Sequence, residues 1–325
     1  MKAIRIHQHG GPEAMVFDEV EIPTAGPGEV LIRHTAIGVN FIDVYFRTGL
    51  YPPPSGALPL IPGNEAAGVV LGLGEGVSGL KIGDRVAYPG PIGAYAEQRT
   101  IPADRVVKIP DGVSDEQAAA IMLKGITVAY LLLRTYKVKP GDTVLYHAAA
   151  GGVGLMFGRW AKHLGATVIG TAGSEAKVAL AKANGYDHVI NYSAGNFLDE
   201  VRALTGGAMC DVVYDSVGKD TFPASLDCLK PLGMFVSFGQ SSGPVPPFNI
   251  GLLAQKGSLF ATRPTIYSYI AKRADYEALA GALFEVVANG IVEINVNQRY
   301  KLADAAKAHS DLEGRKTTGA SILLP

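Results

Sequence analysis

The chain of 325 residues is 48% hydrophobic and 18% charged, with a formal net charge of -1. That composition supports a large core and argues against disorder, and the length suggests two domains. The charge balance, with no long basic run, excludes a nucleic-acid-binding face as the default reading. No membrane-spanning apolar run is expected, and residues 1–6 lack a signal-peptide core, so a cytoplasmic protein is expected.

Residues 1–123 read as a β-rich domain in which strand-like runs such as 29–33 and 66–70 alternate with Gly and Pro turns. The Pro-rich stretches 51–55 and 244–247 read as loops. Helical spacing begins near Ser114, an N-cap with Gln117 at the third position of a capping box. From 124 to 266 strands and helices alternate. Strands are expected over 143–148, 166–171, 187–191, 211–215, 233–238 and 258–262, and helices over 155–164, 177–184, 197–204 and 220–229. The expected fold class is α/β, a doubly wound parallel sheet beside the β-rich domain. A helix over 267–288, a strand over 296–300, a helix over 303–312 and a strand over 320–324 are expected to rejoin the first domain, which then comprises 1–123 and 267–325. The run 257–262 would end the sheet, leaving an edge that proteins tend to cover.

The chemistry centres on residues 143–177. After the apolar run 143–148 come Ala149, Ala150, Gly151, Gly152, Val153 and Gly154, too small to block an approaching ligand. Such a turn lets backbone N–H groups and a helix N-terminus face a pyrophosphate. The spacing Ala148-x-x-Gly151-x-x-Gly154, set between strand, helix and second strand, is a variant of the dinucleotide fingerprint. NAD sites place an acid at the end of the second strand. Here that strand runs into Gly173 and Ser174, with Lys177 one turn into the next helix. A hydroxyl and an ammonium suit a 2′-phosphate, so NADPH is expected. Glu175 opens the helix, where a carboxylate complements the dipole. His147 and His163 fall inside predicted elements and read as structural. Cys210 and Cys228 are too few for a disulfide framework or a four-cysteine zinc site and read as packing residues.

Several stretches together carry a family resemblance over nearly the whole chain: Asn40-Phe41-Ile42-Asp43-Val44-Tyr45, Gly63-Asn64-Glu65-Ala66-Ala67-Gly68, Lys124-Gly125-Ile126-Thr127, the turn from Ala148 to Gly154, Tyr214-Asp215-Ser216-Val217-Gly218 and Thr262-Arg263-Pro264. The chain resembles the zinc-independent medium-chain dehydrogenases/reductases, most closely the quinone oxidoreductases of the zeta-crystallin type. The resemblance implies a GroES-like catalytic domain, a Rossmann domain over 124–266 and a homodimer. It places Asn40, Tyr45, Tyr51 and Thr127 near the nicotinamide and acceptor. Around the cofactor it places Ala150, Gly151, Gly152, Val153, Gly173, Ser174, Lys177, Tyr192, Ser216, Phe238, Gly239, Ser241, Arg263 and Arg315.

Relative to the zinc-containing alcohol dehydrogenases, Asn40 and Asn64 stand where a cysteine and a histidine ligand are expected. The segment 88–99 is short and has no cysteine. Asparagine is a poor zinc ligand, so no metal is expected. Without a Lewis acid, alcohol oxidation is disfavoured, and reduction of a conjugated acceptor is favoured. A quinone is the expected acceptor, with α,β-unsaturated aldehydes or ketones as the alternative. A nucleotide-binding structural protein with negligible turnover is the reading from another class.

Overall fold

The computed structural model describes residues 1–54 and 56–325, so Ser55 of the expected loop 51–55 lies outside the described residues. The chain forms two compact units, Met1–Ile126 with Ile294–Pro325, and Thr127–Glu293.

The first unit contains β1 (Lys2–Ile6), β2 (Met15–Glu19), β3 (Glu29–Val39), α1 (Phe41–Thr48), β4 (Glu65–Leu73), β5 (Arg85–Pro89), β6 (Gln98–Pro102) and β7 (Val107–Lys108). Helix α2 (Asp115–Tyr130) starts in this unit and carries the chain past its boundary. The expected capping box is formed: Gln117 N–H donates to Ser114 Oγ, and Ser114 N–H to Gln117 Oε1. Strand β3 organises the sheet, pairing antiparallel with β4, with β6 and, at its C-terminal end, with a strand from the far end of the chain. Its inward residues Val30, Ile32 and Ile37 join Ile4, Ile6, Tyr88, Tyr95 and Ile101 in one core. Helix α1 follows β3 directly and ends at Gly49, whose φ of 78° makes the left-handed C-cap that glycine adopts without strain.

The second unit contains β8 (Thr143–Tyr146), α3 (Gly152–His163), β9 (Thr167–Ala172), α4 (Glu175–Lys182), β10 (His188–Asn191), α5 (Phe197–Leu204), β11 (Cys210–Asp215), α6 (Ala224–Asp227), β12 (Leu229–Ser237), α7 (Gly251–Gln255), β13 (Phe260–Thr262), α8 (Ile266–Tyr269) and α9 (Arg273–Ala288). Its six strands are all parallel, in the order β10-β9-β8-β11-β12-β13. From β8 the chain runs outward through β9 to β10, then returns to β11 on the other side of β8. That reversal is the switch point at which doubly wound sheets bind ligands. Strands β14 (Val296–Lys301) and β15 (Ala320–Leu324), with α10 (Ala305–Glu313) between them, complete the first unit, and β15 is the late partner of β3.

Three expectations change. The helix expected over 220–229 is only α6, because Pro223 has no N–H and disfavours the helical conformation at Phe222. The helix over 267–288 divides into α8 and α9. Residues 267–293 belong with the second unit: Tyr269 stacks on Tyr130 with ring centroids 4.4 Å apart and accepts a hydrogen bond from Thr135, and Arg134 pairs with Asp275. The expectation of no membrane span stands: Asp115–Thr135 is long and apolar enough to cross one by composition alone, but 78% of its apolar window is buried, as in a core helix of a folded domain.

Candidate cofactor cradle and acceptor site

The cradle is built at the end of β8. Ala148 takes a φ of 63°, a left-handed conformation uncommon outside glycine, and turns the chain so that Gly151 N–H donates to Ala148 O at 3.0 Å. Gly151 is the N-cap of α3, and the first intrahelical bond runs from Leu155 N–H to Gly151 O. The N–H groups of Gly152, Val153 and Gly154 therefore have no intrahelical acceptor. No acidic side chain lies in this first turn to repel an anion. Gly154 is required for the close approach: a Cβ there would lie 2.5 Å from Ala149 O and 2.7 Å from Ala148 O.

At the end of β9 the expected cofactor residues gather. Ser174 is the N-cap of α4 and accepts a hydrogen bond from Lys177 N–H. The half-exposed Tyr192 lies over Gly173, where a Cβ would come within 2.5 Å of its hydroxyl. Asn191 joins these pieces. Its Nδ2 donates to Glu175 Oε1 at 2.6 Å and its Oδ1 accepts from Ser193 N–H, while Ser193 Oγ donates to Gly173 O. Glu175, the acid nearest the end of β9, is thus engaged by an amide.

At the ends of β11 and β12 a second group converges. Phe238 N–H and Gly239 N–H donate to Asp215 O, Ser241 N–H to Ser216 O, and Arg263 Nη1 to Ser237 O. The buried Asp215 carboxylate shapes the turn, accepting from Val217 and Gly218 N–H and from the Thr221 and Ser225 hydroxyls. His147 is fully occupied within this core, bonded to Thr171 Oγ1 and Ser225 Oγ, and burial lowers its pKa. His163 is exposed in the last turn of α3. Arg315 lies in the first unit, after α10, exposed and with a φ of 56°.

In the first unit, Tyr45 on α1 packs against Tyr51 at a centroid distance of 5.2 Å, and Asn40 caps the same helix. Thr127, the first residue of the second unit, sits further along α2 and is partly buried. Around Asn40 lies a buried polar network that residue-by-residue reading missed. Asn40 Nδ2 donates to Glu65 Oε1 at 2.8 Å, and Lys124 Nζ reaches the same oxygen at 2.6 Å. Asn64 Nδ2 and Tyr95 OH donate to the Asp43 carboxylate, which also accepts Asn40 N–H. Tyr95 meets His309 Nε2 at 3.0 Å, and Arg47 donates to His309 Nδ1 and in bidentate fashion to Glu313. With its proton on Nε2, His309 satisfies every one of these contacts. Burial pushes Asp43 up to about 7 despite its three donors, and burial with the Arg47 charge lowers His309 to about 3. The available signal was a charge inside an apolar run: Lys124 in 118–130 and Glu65 before 66–70.

The donor set around Asn40 and Asn64 does not fit a zinc ion. Each amide turns its NH2 toward a carboxylate, and the ammonium of Lys124 holds the Glu65 oxygen a cation would need. Among the described residues no group of three or more histidine, cysteine, aspartate or glutamate side chains could hold a metal.

Residues 26–111 match the family model of the alcohol dehydrogenase GroES-like domain, and residues 152–285 that of the zinc-binding dehydrogenases. A quinone oxidoreductase of Pseudomonas aeruginosa is 50% identical, covering 100% of this chain and 99% of the relative. The chain belongs to the quinone oxidoreductase family of medium-chain dehydrogenases/reductases. The structure of the Escherichia coli family member complexed with NADPH superposes with a TM-score of 0.98 at 47% identity, covering 100% of both chains. A 2-haloacrylate reductase from a Burkholderia species, 46% identical over 98% of both chains, is similar at nearly the same level. The quinone oxidoreductase family thus accounts for both units, its GroES-like model covering much of the first and its dehydrogenase model most of the second.

Proposed function

We propose that this protein is an NADPH-dependent quinone oxidoreductase that works without a metal ion. The observation that carries the reading is the end of β9, where Tyr192 lies over Gly173, Ser174 caps α4 by accepting the Lys177 N–H, and Glu175 is held by Asn191. Relatives named quinone oxidoreductases at about half identity support the same activity.

The residues present fit the cofactor. Gly152, Val153 and Gly154 offer N–H groups to the pyrophosphate, with Ala150 and Gly151 keeping the approach clear. Ser174 and Lys177 bind the 2′-phosphate, Tyr192 packs on the adenine side, and Ser216, Phe238, Gly239, Ser241, Arg263 and Arg315 hold the remainder. When bound, NADPH supplies a hydride. Thr127 positions the nicotinamide side. Asn40, Tyr45 and Tyr51 line the acceptor, where the Tyr45 phenol and an Asn40 N–H donate to the carbonyl oxygen that gains charge. No protein acid is obligatory, since a hydroquinone collects its protons from water. Stopped-flow oxidation of NADPH in the presence of a quinone series tests this. Tight NADPH binding with no turnover on any quinone or conjugated enone would overturn it in favour of a nucleotide-binding structural role.

The 2-haloacrylate reductase relative favours a second reading, reduction of a C=C bond conjugated to a carbonyl, as in enals and enones. Faster single turnovers with such acceptors than with quinones would establish it. We assign the protein to the cytoplasm, in keeping with its two free, buried cysteines. It is a homodimer joined along the edge strand β13, whose Phe260 is 58% exposed. A monomer in sedimentation at micromolar concentration would contradict that assembly.

A further inference from the structure

Lys124 is a buried cation in the first unit, 6% exposed, on an otherwise apolar stretch of α2. It makes two contacts that both lead to Asn40. Its Nζ lies 2.6 Å from Glu65 Oε1, the oxygen that accepts Asn40 Nδ2, and 3.3 Å from the carbonyl of Val39, the residue before Asn40. The other carboxylate oxygen accepts Leu123 N–H from the same helix at 2.7 Å, so Glu65 cannot rotate without losing a second bond. Room for this arrangement comes from Gly38, where a Cβ would fall 2.2 Å from Glu65 Oε1 and 2.4 Å from Ala119 O.

An ionised carboxylate accepts and never donates, so it fixes which end of the Asn40 amide faces it. The Nδ2 group carries two hydrogens. Glu65 takes one, and the direction of the other follows. A buried carboxylate keeps its charge only with a partner, and Lys124 is that partner.

We propose that Lys124 is a positioning residue for the acceptor site: through Glu65 it sets the orientation of the Asn40 amide and so the direction of the N–H that Asn40 offers to the acceptor oxygen. The inference rests on the reading of Asn40 as an acceptor-side residue.

A double-mutant cycle tests both, using Lys124→Met, Asn40→Ser and the combination, with kcat/KM for a quinone and the Kd of NADPH measured on each protein. Serine keeps the N-cap preference while removing the amide. Lys124→Met is expected to lower kcat/KM about tenfold or more, the range for losing a charge-assisted partner, while the NADPH Kd stays within twofold. In the Asn40→Ser background the same substitution should change kcat/KM by less than twofold, because the group it orients is gone. Losses that simply multiply would overturn the positioning role and leave the acceptor-site reading intact. An Asn40→Ser enzyme as fast as the unaltered one would overturn both. A rise in NADPH Kd that parallels the loss of rate would mark Lys124 as structural only. Should Lys124→Met fail to fold, Lys124→Met with Glu65→Gln removes both buried charges together and takes its place in the cycle with the same expectations.

Discussion

Gly154 offers the sharpest test of the cradle. Replacing it by alanine puts a Cβ 2.5 Å from Ala149 O and 2.7 Å from Ala148 O, against the 3.0 Å below which Cβ contacts are essentially never seen. The turn or the start of α3 must therefore move by about 0.5 Å, the difference between 3.0 and 2.5 Å. Both colliding atoms are backbone, so no side chain can swing aside. The moving parts carry the N–H groups of Gly152, Val153 and Gly154. Misaligning the equivalent of one charge-assisted hydrogen bond costs about 1.5–3 kcal/mol, which raises the NADPH Kd roughly tenfold to a hundredfold. Helix propensity works the other way, since alanine is favoured over glycine by up to ~1 kcal/mol within a helix. Gly281→Ala in α9 isolates that term. A Cβ there meets nothing within 4 Å, so this variant should gain about 0.5–1 kcal/mol of stability and bind NADPH unchanged. Calorimetric titration of NADPH into both variants, with chemical denaturation alongside, gives every quantity. A Gly154→Ala protein that binds NADPH within twofold of the unaltered chain would refute the cradle.

Lys177→Ala should raise the NADPH Kd about tenfold or more, the value of an ammonium–phosphate contact, and leave the NADH Kd nearly unchanged. Equal losses for the two cofactors would mean that Lys177 acts through the fold. His34 is buried with its ring bonded to Ala96 O and Tyr88 OH, and burial, the dominant cause, lowers its pKa from 6.5 to about 3. Native His34 therefore stays neutral where the unfolded chain binds a proton, and its contribution is lost as pH falls from 6.5 toward 3. Between pH 7 and 5 that loss is about 2 kcal/mol. Asp43, raised to about 7, titrates with the opposite sign over the same span, so the measurement is a difference: the stability of His34→Gln should fall about 2 kcal/mol less than that of the unaltered chain, and parallel curves would refute the assignment. Elemental analysis should find no stoichiometric zinc, and chelation should leave quinone reduction intact; one tightly held zinc per chain would contradict the donor chemistry at Asn40 and Asn64.

What was legible in the sequence was local. The turn 148–154 was visible because small residues between a strand and a helix leave few alternatives, and strands β9, β11 and β12 stood out as apolar runs between turns. The α6 region was misread because apolar spacing over 220–229 resembles a helix while Pro223 forbids its start. The division between units was misplaced because Tyr130 stacking on Tyr269 is a contact over 139 residues, with no trace in either segment alone. The same distance hid the network from Asp43 through Tyr95 and His309 to Arg47, whose closing bond to Glu313 spans 266 residues. Glu65 and Lys124 lay inside recognised motifs, but their meeting depends on α2 passing over Gly38, which only the fold supplies.

The late pairing of β15 with β3 has a consequence for synthesis. The second unit is one uninterrupted stretch, Thr127–Glu293, and all of it exists before Ile294 is added. The first unit starts earlier and finishes last. Until the final residues emerge, the edge of β3 at Ile37, Gly38 and Val39 has no partner, Arg47 has neither His309 nor Glu313, and the core lacks Leu302, Ala305 and Leu323. Such an open edge invites pairing with other nascent chains. A chain halted at Glu293 should therefore carry a protease-resistant second unit and a protease-sensitive first one, even though the first was made before it.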